Sequence, residues 1–306
     1  MIIEQIWIGM LRGAYYVPIA LAFALVARHG RYLPLWLPEC GMVAAYAAYF
    51  SIERARFPLL LGMAVAVLAG SLSALVAHYA LFAGHVARSE PFAALLRGIG
   101  VIVLLDNIAS LLTGGYALAF SRLAIPSSGR FRMVHALLGS DALALGCVPL
   151  LAGGLWAAVN HTRSGLQYRS VSANRQVATQ YGLRVQRIDF IVVVMGGLLC
   201  AIGGITNGLR YGLTATMMST TALKAVAVVV AVGYDRLLTV ALGMLAIGVL
   251  ESLCQARIRF SAFEDGVSYA ALAIGLVVHY VVWPWWRHWR ERRSWGAEKQ
   301  LAEARL

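Results

Sequence analysis

Four ionisable residues lie within stretches otherwise apolar enough to cross a bilayer: Glu39, Asp106, Lys224 and Glu251. A charge in lipid is costly, so each must find a partner or water, and such residues are default candidates for a transport path. His78 and His279 are weaker members of the same set. Glu39 follows Pro38 at a place where a helix must start or break, and transporters build solute sites at broken helices. Asp106 and Asn107 fall near the middle of one apolar run. Both are expected to face the bundle interior, as a hydrogen-bonded structural pair or as a solute contact. Lys224 separates two apolar runs that would otherwise merge. It is either a snorkelling side chain or part of a translocation path or subunit contact. Glu251, near the end of a span and close to Arg257 and Arg259, is expected to form an interfacial pair with them.

The remaining chemistry is sparse. There is no Walker A loop, no H-E-x-x-H, no G-x-S-x-G, and no Cys/His cluster with metal-ligand spacing. Cys40, Cys147, Cys200 and Cys254 all fall in or beside apolar segments and read as small buried hydrophobes. An enzyme embedded in the membrane is disfavoured, because no nucleophile, base and orienting group can be brought together. Any ATP-driven work must be done on another chain.

The elements that hold these residues are membrane spans. Of 306 residues, 60% are hydrophobic and 13% charged, and the mean hydropathy is +0.72. A soluble domain carries about 25% charged residues, so this is an all-α polytopic bundle. About eight or nine segments of roughly 20 apolar residues can be traced: Ile6 to Ala27, Leu33 to Ile52, Pro58 to Ala83, Gly98 to Phe120, Ala142 to Val159, Ile188 to Thr206, Thr220 to Val232, Leu237 to Leu253 and Val267 to Trp283. The second is broken by Pro34 and Pro38 and reads as a partly re-entrant helix. The sixth holds Gly196, Gly197, Gly203 and Gly204, which predicts close helix packing. Residues 1–286 form the membrane domain and 287–306 a basic tail, with Trp285, Trp286, Trp289 and Trp295 fitting an interfacial belt. The opening MIIEQIWIG has no basic n-region or cleavage site, which predicts no cleaved leader.

The net charge of +12 would suggest nucleic acid in a soluble protein. Here it is explained by basic cytoplasmic loops, and no nucleic-acid partner is expected. The longest of these, residues 161–187, carries Arg163, Arg169, Arg175, Arg184 and Arg187 and no acidic residue. From Ser170 to Tyr181 it has no Pro or Gly and it stops at Gly182, which predicts one short helix. Val171, Val177, Ala178 and Tyr181 would give it a partly apolar face suited to a protein groove. Anionic lipid head groups are the alternative partner. Placing this run inside puts the C-terminus in the cytoplasm and the N-terminus outside, although Arg122, Arg130 and Arg132 argue the other way.

The run Thr162-Arg163-Ser-Gly165-Leu-Gln-Tyr-Arg169, followed by Asn174, Ala178 and Gly182-Leu183, resembles the T-R-x-G-x-x-x-R-A … N-x-x-x-A-x-x-x-G-I signature of the branched-chain amino acid-type permeases of bacterial ABC importers. Lys224-Ala225-Val226 looks like that family's K-A-F, Gly248-Val-Leu-Glu251 like its L-G-x-x-E, and Gly9 to Tyr16 like its opening G-L-x-x-G-A-x-Y. The resemblance implies a second homologous permease, two ATPases carrying ATP and Mg, a periplasmic binding protein, and no cofactor on this chain. It makes residues 161–187 a coupling segment, with Arg163, Gly165, Arg169, Asn174, Ala178 and Gly182 as its motif positions.

The departures lie in the membrane. Leu37-Pro-Glu39-Cys-Gly41 stands where the family has an N-F-A-H-G-like run, and only Gly233 remains of the glycine-rich run after K-A-F. The resemblance implies a small polar solute, an amino acid, amide, urea or carboxylate, and these departures count against branched-chain amino acids. The rival expectation is an autonomous ion-coupled transporter or channel that uses Glu39, Asp106 and Lys224 as a charge relay.

Overall fold

A computed structural model describes residues 2–30, 32–81, 91–120 and 140–257, with 266, 270 and 273 as isolated further positions. The ninth predicted span and the basic tail lie outside the described residues, as does the Arg122–Arg132 loop. Ten α-helices are present among the described residues: α1 (Ile2–Gly30), α2 (Leu37–Tyr49), α3 (Leu59–Leu81), α4 (Pro91–Thr113), α5 (Ser140–His161), α6 (Arg163–Ala173), α7 (Arg175–Gln180), α8 (Val185–Tyr211), α9 (Met217–Val232) and α10 (Leu237–Arg257). The protein is an all-α polytopic bundle, as its composition requires. Five described helices are long and apolar enough to cross a membrane, within α1, α3, α4, α8 and α10, and α9 is a shorter apolar helix.

Pro18 does not end α1, because in a bundle neighbouring helices and local adjustment absorb the missing donor. Its most apolar stretch is buried over 89% of its length, against 22% for α3 and 17% for α4. Thus α1 is the central post, while α3 and α4 turn Leu60, Leu68, Leu104 and Leu111 outward to lipid or a partner. The second segment begins as a helix only at Leu37, past Pro34, and runs unbroken to Tyr49. Pro38 occupies the first turn of α2, where its missing N–H costs nothing, and the helix widens into a π-helical turn at Phe50–Arg54.

Glycine sets the helix crossings. A Cβ on Gly248 of α10 would lie 2.3 Å from Gly13 N and 2.4 Å from Gly9 O of α1. One on Gly204 of α8 would lie 2.0 Å from Gly41 O of α2, and one on Gly197 would lie 2.9 Å from Ser71 Cα of α3. These are backbone-to-backbone approaches, the ordinary use of small residues between membrane helices. At the end of the bundle remote from residues 161–187, Leu118 and Leu213 exchange backbone hydrogen bonds of 3.0 and 2.7 Å. This ties the segment after α4 to the turn between α8 and α9.

Candidate functional site

The basic run folds as two helices where the sequence predicts one. Thr162 caps α6, its hydroxyl accepting from Gly165 N at 2.9 Å. The predicted helix from Ser170 to Tyr181 is interrupted at Asn174, whose backbone is extended. Its Oδ1 accepts from Gln176 N at 3.1 Å and Val177 N at 3.2 Å, so it starts α7. Asn competes for backbone donors and favours caps over helix interiors, which a search for Pro and Gly overlooks. Asn174→Ala should cost about 1 kcal/mol locally and speed hydrogen exchange at the Gln176 and Val177 amides. Unchanged exchange there would mean the cap is idle. Gly182 sits at φ +78°, the left-handed region that glycine serves.

The motif residues have distinct jobs. Gly165 lets α6 fold back on the end of α5, since a Cβ there would lie 2.3 Å from Ala158 O. Ala178 and Val171 are buried, whereas Val177, Tyr181 and Leu166 are exposed and Arg163 points to the surface. The expected apolar face is therefore divided, one part seated on the bundle and the other free. Arg169 is half-buried and lines a cavity of about 580 Å³ with Arg28, Tyr32, Ser172, Tyr234 and Asp235.

The rear of this segment is fastened by residues that sequence reasoning passed over. Asp189, near the start of α8, accepts from Arg175 Nη1 at 2.9 Å, and its second oxygen meets Arg175 Nη2. The same carboxylate takes His29 Nε2 of α1 at 2.5 Å. His29 stacks on Tyr168 of α6 with centroids 5.7 Å apart, and the Tyr168 hydroxyl donates to Leu25 O at 2.9 Å. Burial pushes the Tyr168 phenol up, so it remains a neutral donor. Arg28 reaches Asp235, between α9 and α10, at 3.2 Å. One acidic residue opening an apolar span after five arginines was the available signal for Asp189.

Within the membrane the candidates form two groups. Glu39 is fully buried and accepts from the Ser219 hydroxyl at 3.4 Å, with the Asp106 carboxyl near enough to act on it electrostatically. Asn107 does not face the interior as expected. It is exposed and donates to Val103 O of its own helix at 2.7 Å, because successive helical residues lie about 100° apart and cannot share a face. His78 is buried on α3, and His279 lies outside the described residues.

The second group corrects the reading of Glu251. It pairs with Lys224, Nζ to Oε1 at 2.8 Å, while Arg259 lies outside the described residues. Both side chains are almost wholly buried, so Lys224 does not snorkel, and its charge partner is neither Glu39 nor Asp106. Lys224 also donates to the Tyr16 hydroxyl of α1 at 3.2 Å and lies 4.6 Å over its ring. Around it lies a cavity of about 310 Å³ lined by Tyr16, Asn207, Tyr211 and Thr214, with Thr216, Thr220 and Thr221 beyond. No group of three or more potential metal ligands occurs among the described residues.

The family described as branched-chain amino acid transport system / permease component matches residues 5–281. The chain is 24% identical over 289 residues to the high-affinity branched-chain amino acid transport system permease protein LivH of Salmonella typhimurium, spanning 90% of this chain and 93% of that protein. It is also 24% identical over 290 residues to LivH of Escherichia coli K12, with the same coverage. Among solved structures, PsaBC from Streptococcus pneumoniae in complex with Fab aligns over 92% of each chain at 12% identity and a TM-score of 0.45. With a family match running through nearly its whole length, from the first helix past the Lys224–Glu251 pair, this chain belongs to the branched-chain amino acid transport permease family.

Proposed function

We propose that the chain is the membrane-spanning permease subunit of a binding-protein-dependent ABC importer of the bacterial inner membrane, moving a small polar solute by alternating access. A second permease completes the path, two ATPases carry ATP and Mg, and a periplasmic binding protein delivers the solute. Residues 161–187 and the C-terminus face the cytoplasm, and the N-terminus faces the periplasm.

One observation carries the reading beyond family membership. The α6–α7 segment is bonded on its rear to α1 and α8, while Leu166, Val177 and Tyr181 lie exposed on its front. A segment held this way can pass a push from a docked ATPase into the central helix. ATP-driven closure of the ATPase pair would move α6 and α7, and α1 would follow through His29 and Leu25. The autonomous-transporter alternative loses its proposed relay, since Lys224 is neutralised by Glu251.

Purifying the tagged chain in mild detergent with whatever accompanies it, and assaying the eluate for ATP hydrolysis, tests this directly. Recovery of an ATPase pair and a second permease is expected, and a lone oligomer that transports without ATP would overturn it. Val177→Asp with Tyr181→Asp should lower uptake on the order of tenfold, since central apolar contacts carry about 1–2 kcal/mol or more of an interface. The protein should remain folded, because both side chains already face outward. Full uptake at normal expression would remove the docking role from this face.

A further inference from the structure

The Lys224 cavity carries donors that the protein leaves unused. An ammonium has three N–H groups. Glu251 Oε1 takes one at 2.8 Å and the Tyr16 hydroxyl a second at 3.2 Å, while the third has no acceptor among the described residues. The surrounding wall is set with hydroxyls. Thr214, Thr216, Thr220 and Thr221 converge on the same space, and none of the four hydroxyls is hydrogen-bonded within the described chain. Elsewhere in the bundle the protein satisfies such groups on its own helices: Thr206 donates to Ile202 O at 2.9 Å and Thr113 to Ala109 O at 3.0 Å. Thr220 and Thr221 lie within α9, where the same back-bonding was open to them.

Charge narrows the occupant. The cavity lining has one cation, Lys224, and no carboxylate, but Glu251 sits behind it within the wall. The pair sums to zero. A cavity whose lining holds no unpaired charge gives a net-charged guest no counter-charge in its wall, although Arg12 and Arg210 act on Tyr211 from beyond it. The available interactions are one ammonium N–H and a ring of hydroxyls, which suit an oxygen acceptor and small polar groups better than a branched aliphatic side chain.

We infer that this cavity binds a small net-neutral solute, presenting a carbonyl or carboxylate oxygen to the Lys224 ammonium and its other polar groups to Thr214, Thr216, Thr220 and Thr221. Uncharged amides and short zwitterions share this chemistry. Glu251 acts as a positioning residue. It holds the ammonium toward the cavity and cancels its charge, so that net anions are rejected although a lysine lines the wall. That the bound solute is cargo rests on the importer reading; the site itself does not.

The test therefore needs no partner subunit. Thr220→Cys is introduced into the full chain in lipid vesicles, with the unsubstituted chain as background for the native cysteines. The labelling rates of hydroxyethyl, trimethylammonioethyl and sulfonatoethyl methanethiosulfonates are each normalised to a free thiol. The neutral reagent should lead both charged ones. Adding Glu251→Gln leaves Lys224 uncompensated and should raise the sulfonate-to-ammonium rate ratio by roughly tenfold or more. Adding Lys224→Met should shift the ratio the other way, and the double Lys224→Met/Glu251→Gln chain, whose wall is again neutral and free of an unpaired charge, should restore the original order. Acetamide or serine should slow labelling, and acetamide alone or serine alone would tell amide from zwitterion.

Lactate or ethylamine protecting better than both neutral solutes would overturn the proposal. So would the absence of labelling, the absence of protection by either neutral solute, or one charge order in all four chains. Failure of the importer reading would appear separately, as uptake indifferent to ATP with these labelling ratios intact.

Discussion

Replacing Asp189 with alanine should lower the apparent melting temperature of the purified protein by roughly 5–10 °C and its uptake on the order of tenfold. The carboxylate is bound on one side by the Arg175 guanidinium and on the other by His29. Removing one partner of a fully buried pair costs about 3–5 kcal/mol. Arg175 keeps 28% of its side-chain surface exposed, so water recovers part of the loss and about 2–3 kcal/mol is the better expectation. The functional loss has a different origin. Without Asp189, α7 is no longer joined to α1, and a push on the basic segment has no second handle on the central helix. Asp189→Asn, which keeps the shape and can still accept from His29, should recover most of the stability and only part of the uptake. If Asp189→Ala melted and transported like the parent, the tie would be incidental and motion would have to enter through Tyr168 alone.

A second large effect is expected at the crossing of α1 and α10. Gly248→Leu should leave little monodisperse protein in detergent, measured by size-exclusion chromatography of a fluorescent fusion. A Cβ at this position would meet Gly13 N at 2.3 Å and Gly9 O at 2.4 Å, and backbone atoms cannot rotate away as a side chain can. The two helices would have to separate by about an ångström along their closest contact. Even alanine should cost about 1–3 kcal/mol there, and leucine more. Gly100→Ala on α4 is the control, because nothing lies within 4 Å of its added Cβ. It should be neutral, or stabilising by up to about 1 kcal/mol through helix propensity. Equal behaviour of the two glycine variants would show that the α1–α10 approach is looser than described.

Much of this architecture was legible in the chain. Apolar length marked the spans, and the glycines of the sixth span marked close packing. Gly182 marked the stop of the basic segment. Local rules failed where the deciding contact was tertiary. Glu251 has arginines near it in sequence, yet its partner is 27 positions away on another helix, and no periodicity reports such a pairing. Asp106 and Asn107 looked like a unit because they are adjacent, but a helix turns neighbours to different faces. Asp189 is, in sequence, only the first acidic residue after a basic run. Its role needs His29, 160 residues upstream, and only the folded bundle brings the two together. Tyr16 was hidden in an apolar span, where a phenol reads as one more hydrophobe until a buried ammonium is found beside it.

The Gly9–Gly13 seam against Gly248 also governs how the protein is made. Helix α1 leaves the ribosome long before its tightest partner among the described helices, α10, which lies more than 230 residues later. Until then α1 waits in the bilayer with a groove of small residues open to lipid or to any other small-residue helix that drifts past. Long-range closure of this kind is slow and exposed to mispairing. A chain arrested before residue 245 therefore holds an unfinished post rather than a smaller stable bundle, and quality control of this permease amounts to asking whether α1 and α10 have met.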